Sequence, residues 1–287
     1  MITPTGILNN SSLKNRNQNK GKSMDSLSTL QNRGFVKQCS NESAFYSSNT
    51  LNKQTLLKIK RMGIETDWND AFAGKSKGNR HLFRVVKLAK HMAQRLGANV
   101  SIVEASAWLH DTALPSGDDY DYEKNKKIVR DILIGLNLSV EDGDMIAECV
   151  ASHEGTSKPK SLEAKIVHDA DVLEKTGMLG IIRHTWKLVN SGRISPENIT
   201  RKDTVEILNH LRWRSRKIET SLGKKIHSYL SVPITVAQAE KMVSAVAKKA
   251  INGIVTEKIA RSIYKKLAVV QRRRLKEQFR QTYLRQF

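Results

Sequence analysis

The chain has 287 residues, enough for one core domain with long extensions or for two small domains. Hydrophobic residues make up 39% of it and aromatic residues only 6%, a balance that favours a soluble helical protein over a β-sandwich. No apolar run approaches the roughly 20 residues of a membrane-spanning helix, and the N-terminus lacks the hydrophobic stretch of a signal peptide. We therefore expect a cytoplasmic protein with no membrane partner, although the Ser-, Asn- and Lys-rich N-terminus leaves organellar targeting open.

The net charge of +21 comes from the two ends of the chain. Residues 1–62 hold ten Lys and Arg against two acids, and residues 200–287 hold 21 against six. The middle, residues 63–199, is close to neutral, with 18 against 20. Nucleic acid would therefore bind through the basic flanks and not through the middle. The simpler interpretation of the basic run at 272–276 is a solvent-facing helix surface, and nucleic-acid contact is the alternative.

Residue patterning predicts an all-α protein in three parts. Residues 1–55 are polar without a sustained period, which predicts a disordered basic segment. Helical patterning begins near Leu56 and continues to the C-terminus, without an alternating strand pattern. We assign residues 56–199 to a helical-bundle domain and residues 200–287 to a basic helical extension.

Apolar stripes predict the helices in chain order. The second one opens with a capping-box pattern, Ser101 followed by Glu104, and ends near Pro115. Cys149 lies on the stripe of a later helix, which predicts a buried free thiol and, with only one other cysteine, a reducing compartment. The predicted helices cover about 81–96, 101–114, 126–133, 140–153 and 161–177, and further ones follow Pro233.

Histidines and an aspartate fall at the ends of these helices. His81 begins one, His153 ends another, and the doublet His110-Asp111 closes a third apolar pattern. A lone His on an apolar stripe is more often a hydrogen-bonded core residue than a ligand. The doublet changes this balance, because a buried carboxylate needs a partner and a metal ion suits mixed nitrogen and oxygen ligands.

The order His81, His110-Asp111 and Asp171 resembles the HD superfamily of metal-dependent phosphohydrolases. Residues 81–86 resemble its opening helix, and residues 107–111 (Ala-Trp-Leu-His-Asp) resemble the segment that ends in the doublet. Residues 168–174 (His-Asp-Ala-Asp-Val-Leu-Glu), followed by Gly177, Gly180 and Arg183, are similar to the bacterial YedJ-like branch. The resemblance covers about residues 78–190.

The resemblance implies that His81, His110, Asp111 and Asp171 ligate one divalent ion (Mn, Co, Ni, Fe or Mg). Helix geometry restricts the last assignment, because residues two apart point about 200° apart on a helix. Asp169 and Asp171 therefore cannot both reach one ion. The motif matches Asp171, which leaves Asp169 to a supporting or structural role.

The activity implied by the resemblance is hydrolysis of a phosphoester or phosphoanhydride of a nucleotide or a similar small phosphorylated substrate. Asp111 and His153 are the catalytic candidates. His153 is also a candidate to bind the phosphate, together with Arg84 and Arg183.

Two departures from the family concern the base and a second metal. Residues 112–114 (Thr-Ala-Leu) supply no acid directly after the doublet. Asp118 or Asp119 could serve as the base, but a solvent-facing acidic turn is the simpler expectation. Residues 121–123 (Asp-Tyr-Glu) stand where many relatives carry a His, which disfavours a second ion.

Two alternatives stay open at this point. One keeps the metal site but makes the substrate RNA or DNA, guided by the basic flanks. The other is a non-catalytic nucleic-acid-binding module. Intact candidate ligands favour an enzyme.

A truncation after Val270 tests the role of the flanking charge. If the C-terminal part binds nucleic acid, the truncation weakens binding and lowers the slope of log affinity against log salt by about 0.7–0.9 per lost phosphate contact. Salt titrations of RNA and DNA binding measure this slope. If the full-length protein shows no salt-sensitive binding to any polyanion, the positive charge of the C-terminal part is only a solvent-facing helix surface.

Overall fold

The computed structural model describes residues 51–74, 80–231 and 233–250. These ranges are helical and contain no strand, which confirms the predicted all-α class. The segment predicted to be disordered lies outside them, except for its last five residues, and helix α1 already begins at Lys53. The helices are α1 Lys53–Glu65, α2 His81–Leu96, α3 Val100–Leu109, α4 Tyr122–Ile134, α5 Val140–Ala151, α6 Leu162–Glu174, α7 Gly177–Asn190, α8 Arg201–Ser215, α9 Ser221–Leu230 and α10 Val236–Ala250.

Helix α3 begins and ends differently from its prediction. Asn99, not Ser101, is its N-cap: the Asn99 side chain accepts hydrogen bonds from the backbone N–H groups of Ser101 and Ile102. The predicted capping box is therefore wrong, because an Asx cap two residues earlier already satisfies these donors. The helix also stops at Leu109, well before Pro115, and turns follow. His110 and Asp111 consequently lie at the junction of a helix and a turn.

The first hydrophobic core joins helices α1 to α6. Helix α3 lies at its centre and contacts α1, α2, α5 and α6. The contact with α1 is close at Gly63, where a Cβ atom would meet the carbonyl oxygen of Trp108 at 2.0 Å. Glycine is therefore required for α1 to approach the backbone of α3. The largest fully buried side chains of this core include Ile59, Leu82, Met92, Ile102, Leu109, Ile146, Ile166 and Leu173.

A second hydrophobic core lies among α7, α8 and α10. Trp186 of α7 is fully buried there, with the Phe72 ring packed edge-on at 4.8 Å between centroids. Val243 and Val246 of α10 are buried in it, as the apolar stripe after Pro233 predicts. Contacts between α7 and both later helices cross residue 199. The domain boundary placed there stays a prediction.

Asp169 ties the C-terminal helices to the first core. Its carboxylate is fully buried and accepts hydrogen bonds from the backbone N–H groups of Glu219 and Thr220 and from the Thr220 hydroxyl, at 2.6–2.8 Å. Thr220 in turn is the N-cap of α9. One carboxylate of α6 thus fixes the start of another helix 50 residues later in the chain.

Cys149 is a buried free cysteine, as predicted. Burial raises the pKa of its thiol to about 12, so the group stays protonated and unreactive at neutral pH. The other cysteine lies outside the described residues. None of the described helices has the length and apolar character needed to cross a membrane.

Two glycine substitutions test the helix packing. Gly63→Ala should lower the free energy of unfolding by about 1–3 kcal/mol, because its methyl group overlaps the backbone of α3. Gly143→Ala, on the same kind of helical backbone but with no atom within 4 Å of the added Cβ, should raise it by about 0.5–1 kcal/mol. Urea denaturation measures both changes. A neutral Gly63→Ala variant would contradict the close approach of α1 and α3.

Candidate metal centre

Four residues from three parts of the fold meet in one buried cluster. His81 is the first residue of α2, His110 and Asp111 follow the last residue of α3, and Asp171 lies one turn before the end of α6. Asp111 is 8% exposed and the other three are 1% exposed or less. The helix ends allow side chains to converge here without helical backbone passing through the cluster.

The distances in this cluster suit one metal ion. His81 Nε2 lies 3.3 Å from His110 Nε2 and 3.1 Å from Asp171 Oδ1, and His110 Nε2 lies 3.1 Å from Asp111 Oδ2. Ligands bound at about 2.1 Å in adjacent octahedral positions are about 3 Å apart. His81, His110 and Asp111 therefore form one group that could hold a metal ion, and Asp171 Oδ1 lies beside both histidines, 3.1 Å from His81 Nε2 and 3.8 Å from His110 Nε2.

The hydrogen-bond pattern leaves ligand atoms free. His110 Nδ1 lies 2.9 Å from the carbonyl oxygen of Ala107 and donates to it, so Nε2 carries the lone pair when the ring is neutral. Asp171 Oδ1 is buried without a hydrogen-bond partner among the described residues. A buried carboxylate oxygen in that state is costly, and a cation supplies the missing partner.

His153 and Asp119 extend the cluster on the side of Asp111. His153 Nε2 lies 3.8 Å from Asp111 Oδ1 and 3.8 Å from Asp119 Oδ2, while its Nδ1 donates to the carbonyl oxygen of Val150 at 2.7 Å. Burial, followed by repulsion from His110, lowers the pKa of His153 to about 4. Burial and the charge of Asp111 raise the pKa of Asp119 to about 7. His153, Asp111 and Asp119 form a second group of possible metal ligands.

The expectation of a solvent-facing acidic turn is wrong for Asp119. Its exposure is only 2%, because the loop after the doublet folds inward and brings this carboxylate beside His153. Asp118 does remain near the surface, where it pairs with Lys124 at 3.1 Å. Adjacent residues of one turn thus have opposite environments.

Cationic side chains, buried or half-buried, surround the acids of the cluster. Lys175 Nζ lies 2.5 Å from Asp171 Oδ2 and 3.1 Å from Glu154 Oε1. Glu154 also accepts a hydrogen bond from Arg214, and Arg183 Nη2 lies 3.7 Å from Asp111 Oδ2. Asp171 and Glu154 each lie beside both Lys175 and Arg214, so neither acid depends on a single cation for neutralisation.

The structure brings most of the predicted site residues together. His81, His110, Asp111, His153 and Asp171 share the cluster, and Arg183 reaches it. Arg84 instead donates from Nε to Glu174 at 2.6 Å, and it is not among the residues that line the adjacent cavity. Its role in substrate binding stays a prediction that this contact does not favour.

Three residues of the network were not identified from the sequence, namely Glu154, Lys175 and Arg214, whereas Asp119 was named as a possible base but expected to face solvent. Glu154 directly follows His153, and Lys175 follows Asp171 by one helical turn. This proximity in sequence to the predicted site residues could have identified both as neighbours of the site. Arg214 carried no such signal, because it lies 60 residues from its partner Glu154.

A cavity of about 520 Å³ opens beside the cluster. Asp111, Asp119 and Glu154 lie on its wall at the cluster. Five cationic side chains also line it, namely Lys175, Arg183, Lys187, Arg193 and Arg214. The volume lies in the range of small-molecule sites, and the cationic wall suits an anionic ligand.

Residues 79–176 match the family model of the HD domain. HD domains belong to a superfamily of metal-dependent phosphohydrolases and bind divalent metals. Among solved structures, Bacillus subtilis YpgQ is 20% identical over 62% of this chain and 88% of its own, with a TM-score of 0.48. A second structure of YpgQ, in complex with ADP, is 21% identical over 62% of this chain and 85% of its own, with a TM-score of 0.46. A Lactobacillus plantarum protein is 24% identical over 70% of this chain and 98% of its own, with a TM-score of 0.47.

The two aspartates of α6 should respond differently to loss of charge. Asp171→Asn should reduce bound Mn, because it weakens a ligand of the cluster. Asp169→Asn should leave Mn content unchanged but lower the free energy of unfolding by about 1–3 kcal/mol, since its hydrogen bonds to Glu219 and Thr220 are buried. Metal analysis after dialysis and urea denaturation separate the two effects. Equal loss of metal from both variants would show that the assignment of Asp171, and not Asp169, to the cluster is wrong.

Proposed function

We propose that the HD domain of this chain is a metal-dependent phosphohydrolase that cleaves a phosphoester or phosphoanhydride bond in a nucleotide or a similar small phosphorylated substrate. The observation that carries this proposal is the cluster in which Asp111 and Asp171 both lie within 3.8 Å of His81 and His110, beside a cation-lined cavity. A bound divalent ion would activate water and offset negative charge on the phosphoryl oxygens.

The residues around the cluster divide the remaining work. His81, His110, Asp111 and Asp171 would hold the ion. His153 has its Nδ1–H committed to Val150, so its Nε2 lone pair is placed to accept a proton or to hydrogen-bond a protonated phosphate. Donation of a proton from His153 to a leaving group would first require protonation of its Nε2.

Asp119 is a second candidate for proton transfer. Its carboxylate lies on the cavity wall beside His153, and its Oδ1 has no hydrogen-bond partner among the described residues. It therefore supplies the acid that the sequence lacks directly after the doublet. Arg183, near Asp111, is placed to bind phosphoryl oxygens of a substrate in the cavity.

Burial of the cluster favours small substrates over nucleic-acid duplexes. Three of the four proposed ligands are 1% exposed or less, and the cavity beside them is about 520 Å³. A phosphodiester in the middle of a duplex cannot reach such a site without its bases leaving the stack.

A substrate screen tests the reaction class. Purified protein with Mn, Co, Ni or Mg should hydrolyse at least one nucleotide, and should act more slowly on a generic phosphodiester or single-stranded RNA. Phosphate release and product chromatography measure the activity. Preferential cleavage of RNA would favour the nuclease alternative, and no hydrolysis under any metal would favour the non-catalytic module.

A pair of histidine variants tests the metal dependence. His110→Ala should lose both bound metal and hydrolysis, with the helical circular-dichroism signal retained, because the helices rest on the hydrophobic core. His91→Ala is the matched control, since His91 is an exposed residue of α2 away from the cluster. Metal analysis and activity assays are the readouts. Full activity of His110→Ala would contradict the assignment of the site.

A further inference from the structure

We propose that Arg214, on helix α8, binds the phosphoryl group of the substrate together with Arg183. This inference rests on the proposed function and adds a binding residue from outside the matched HD segment, which ends at residue 176. The two arginines reach the cluster from different helices, α8 and α7.

Arg214 is buried and oriented towards the proposed metal ligands. It is 6% exposed, donates from Nη2 to Glu154, and places the same nitrogen 3.9 Å from Asp171 Oδ2. Glu154 lies on the cavity wall, as does Arg214 itself. The ion pair therefore holds the guanidinium at the cavity, within reach of a ligand bound at the cluster.

Neutralising Glu154 does not by itself explain why Arg214 is buried beside it. Lys175 already pairs with Glu154, with Nζ 3.1 Å from Oε1. Arg214 donates one hydrogen bond to Glu154 and none to any other described residue. A guanidinium has five N–H donors, so most of those on Arg214 remain for a ligand.

Arg183 has the same surplus of donors on the other side. Its Nη2 lies 3.7 Å from Asp111 Oδ2, it is 8% exposed, and it makes no hydrogen bond with a described residue. Arg183 thus lies near Asp111, and Arg214 near Asp171. Planar guanidinium groups bind phosphoryl oxygens in a bidentate manner, and two of them flanking the ligand cluster form a phosphate clamp.

Arg214→Gln tests this clamp, with Arg216→Gln as the matched control. Arg216 follows α8 directly and is exposed, so it shares the local sequence but not the cavity. We expect Arg214→Gln to weaken binding of inorganic phosphate to the Mn-loaded protein roughly ten- to hundredfold. Arg216→Gln should bind phosphate as the unchanged protein does. Bound Mn should be the same in both variants, because Arg214 is not a ligand.

Arg214→Lys keeps the test informative if Arg214→Gln does not fold. Lysine keeps the charge beside Glu154 but cannot donate in a bidentate manner, so a severalfold weaker phosphate affinity is expected. Isothermal titration gives the affinities, and the unfolding midpoint reports the structural contribution. Phosphate affinity that is unchanged in a folded Arg214→Gln or Arg214→Lys variant would overturn the proposal, whatever happens to the midpoint.

The same variants separate this inference from the proposed function. Phosphate binding that depends on Arg214 in a protein that hydrolyses no substrate would support the clamp and contradict the enzyme. Hydrolysis whose KM does not change in Arg214→Gln would support the enzyme and contradict the clamp.

Discussion

Asp171 lies fully buried inside α6, and a carboxylate in that position needs cationic partners on both of its oxygens. Lys175, four residues later and directly after the end of the helix, lies 2.5 Å from Oδ2. Oδ1 faces His81 and the rest of the cluster. Burial would raise the pKa of Asp171, but Lys175 and His81 hold it well below its usual range. The helix thus presents one neutralised oxygen and one oxygen suited to a metal ion.

The same constraint repeats for the neighbouring acids and links helices that are distant in sequence. Glu174 pairs with Arg84 of α2. Glu154 pairs with Lys175, directly after α6, and with Arg214 of α8. Removing one partner of a buried pair commonly costs about 3–5 kcal/mol, because the other charge is left without compensation. Packing of α8 against the site is therefore an electrostatic requirement of the site as well as a hydrophobic one.

Asp169 and Asp171 show how one helix serves two structural purposes. The side chains point to opposite sides of α6, as their spacing of two residues predicts. Asp171 faces the cluster, whereas Asp169 holds the backbone at the start of α9. A change in the position of α6 would therefore disturb both the cluster and the attachment of the C-terminal helices.

The helices and the central ligands could be predicted from the sequence because they follow local patterns. His81, His110 and Asp111 lie at helix ends, where an apolar stripe stops. For Asp171 the helical angle shows only that it and Asp169 cannot both reach one ion, and the resemblance to the HD motif selects Asp171. Asp119 could not be predicted in this way. It lies in a loop without periodicity, and its burial depends on how that loop folds against His153. The turn composition alone favours exposure.

Arg214 shows the same limit for the basic C-terminal part. It lies between Arg212 and Arg216, two residues from each, so it points about 160–200° away from both around the helix axis. Arg212 and Arg216 are exposed, whereas Arg214 is buried at the cluster. A run of alternating arginines therefore supplies both surface charge and a site residue, and only packing against Glu154 distinguishes them. The question of nucleic-acid binding concerns the exposed arginines, and it is physically separate from phosphate binding in the cavity.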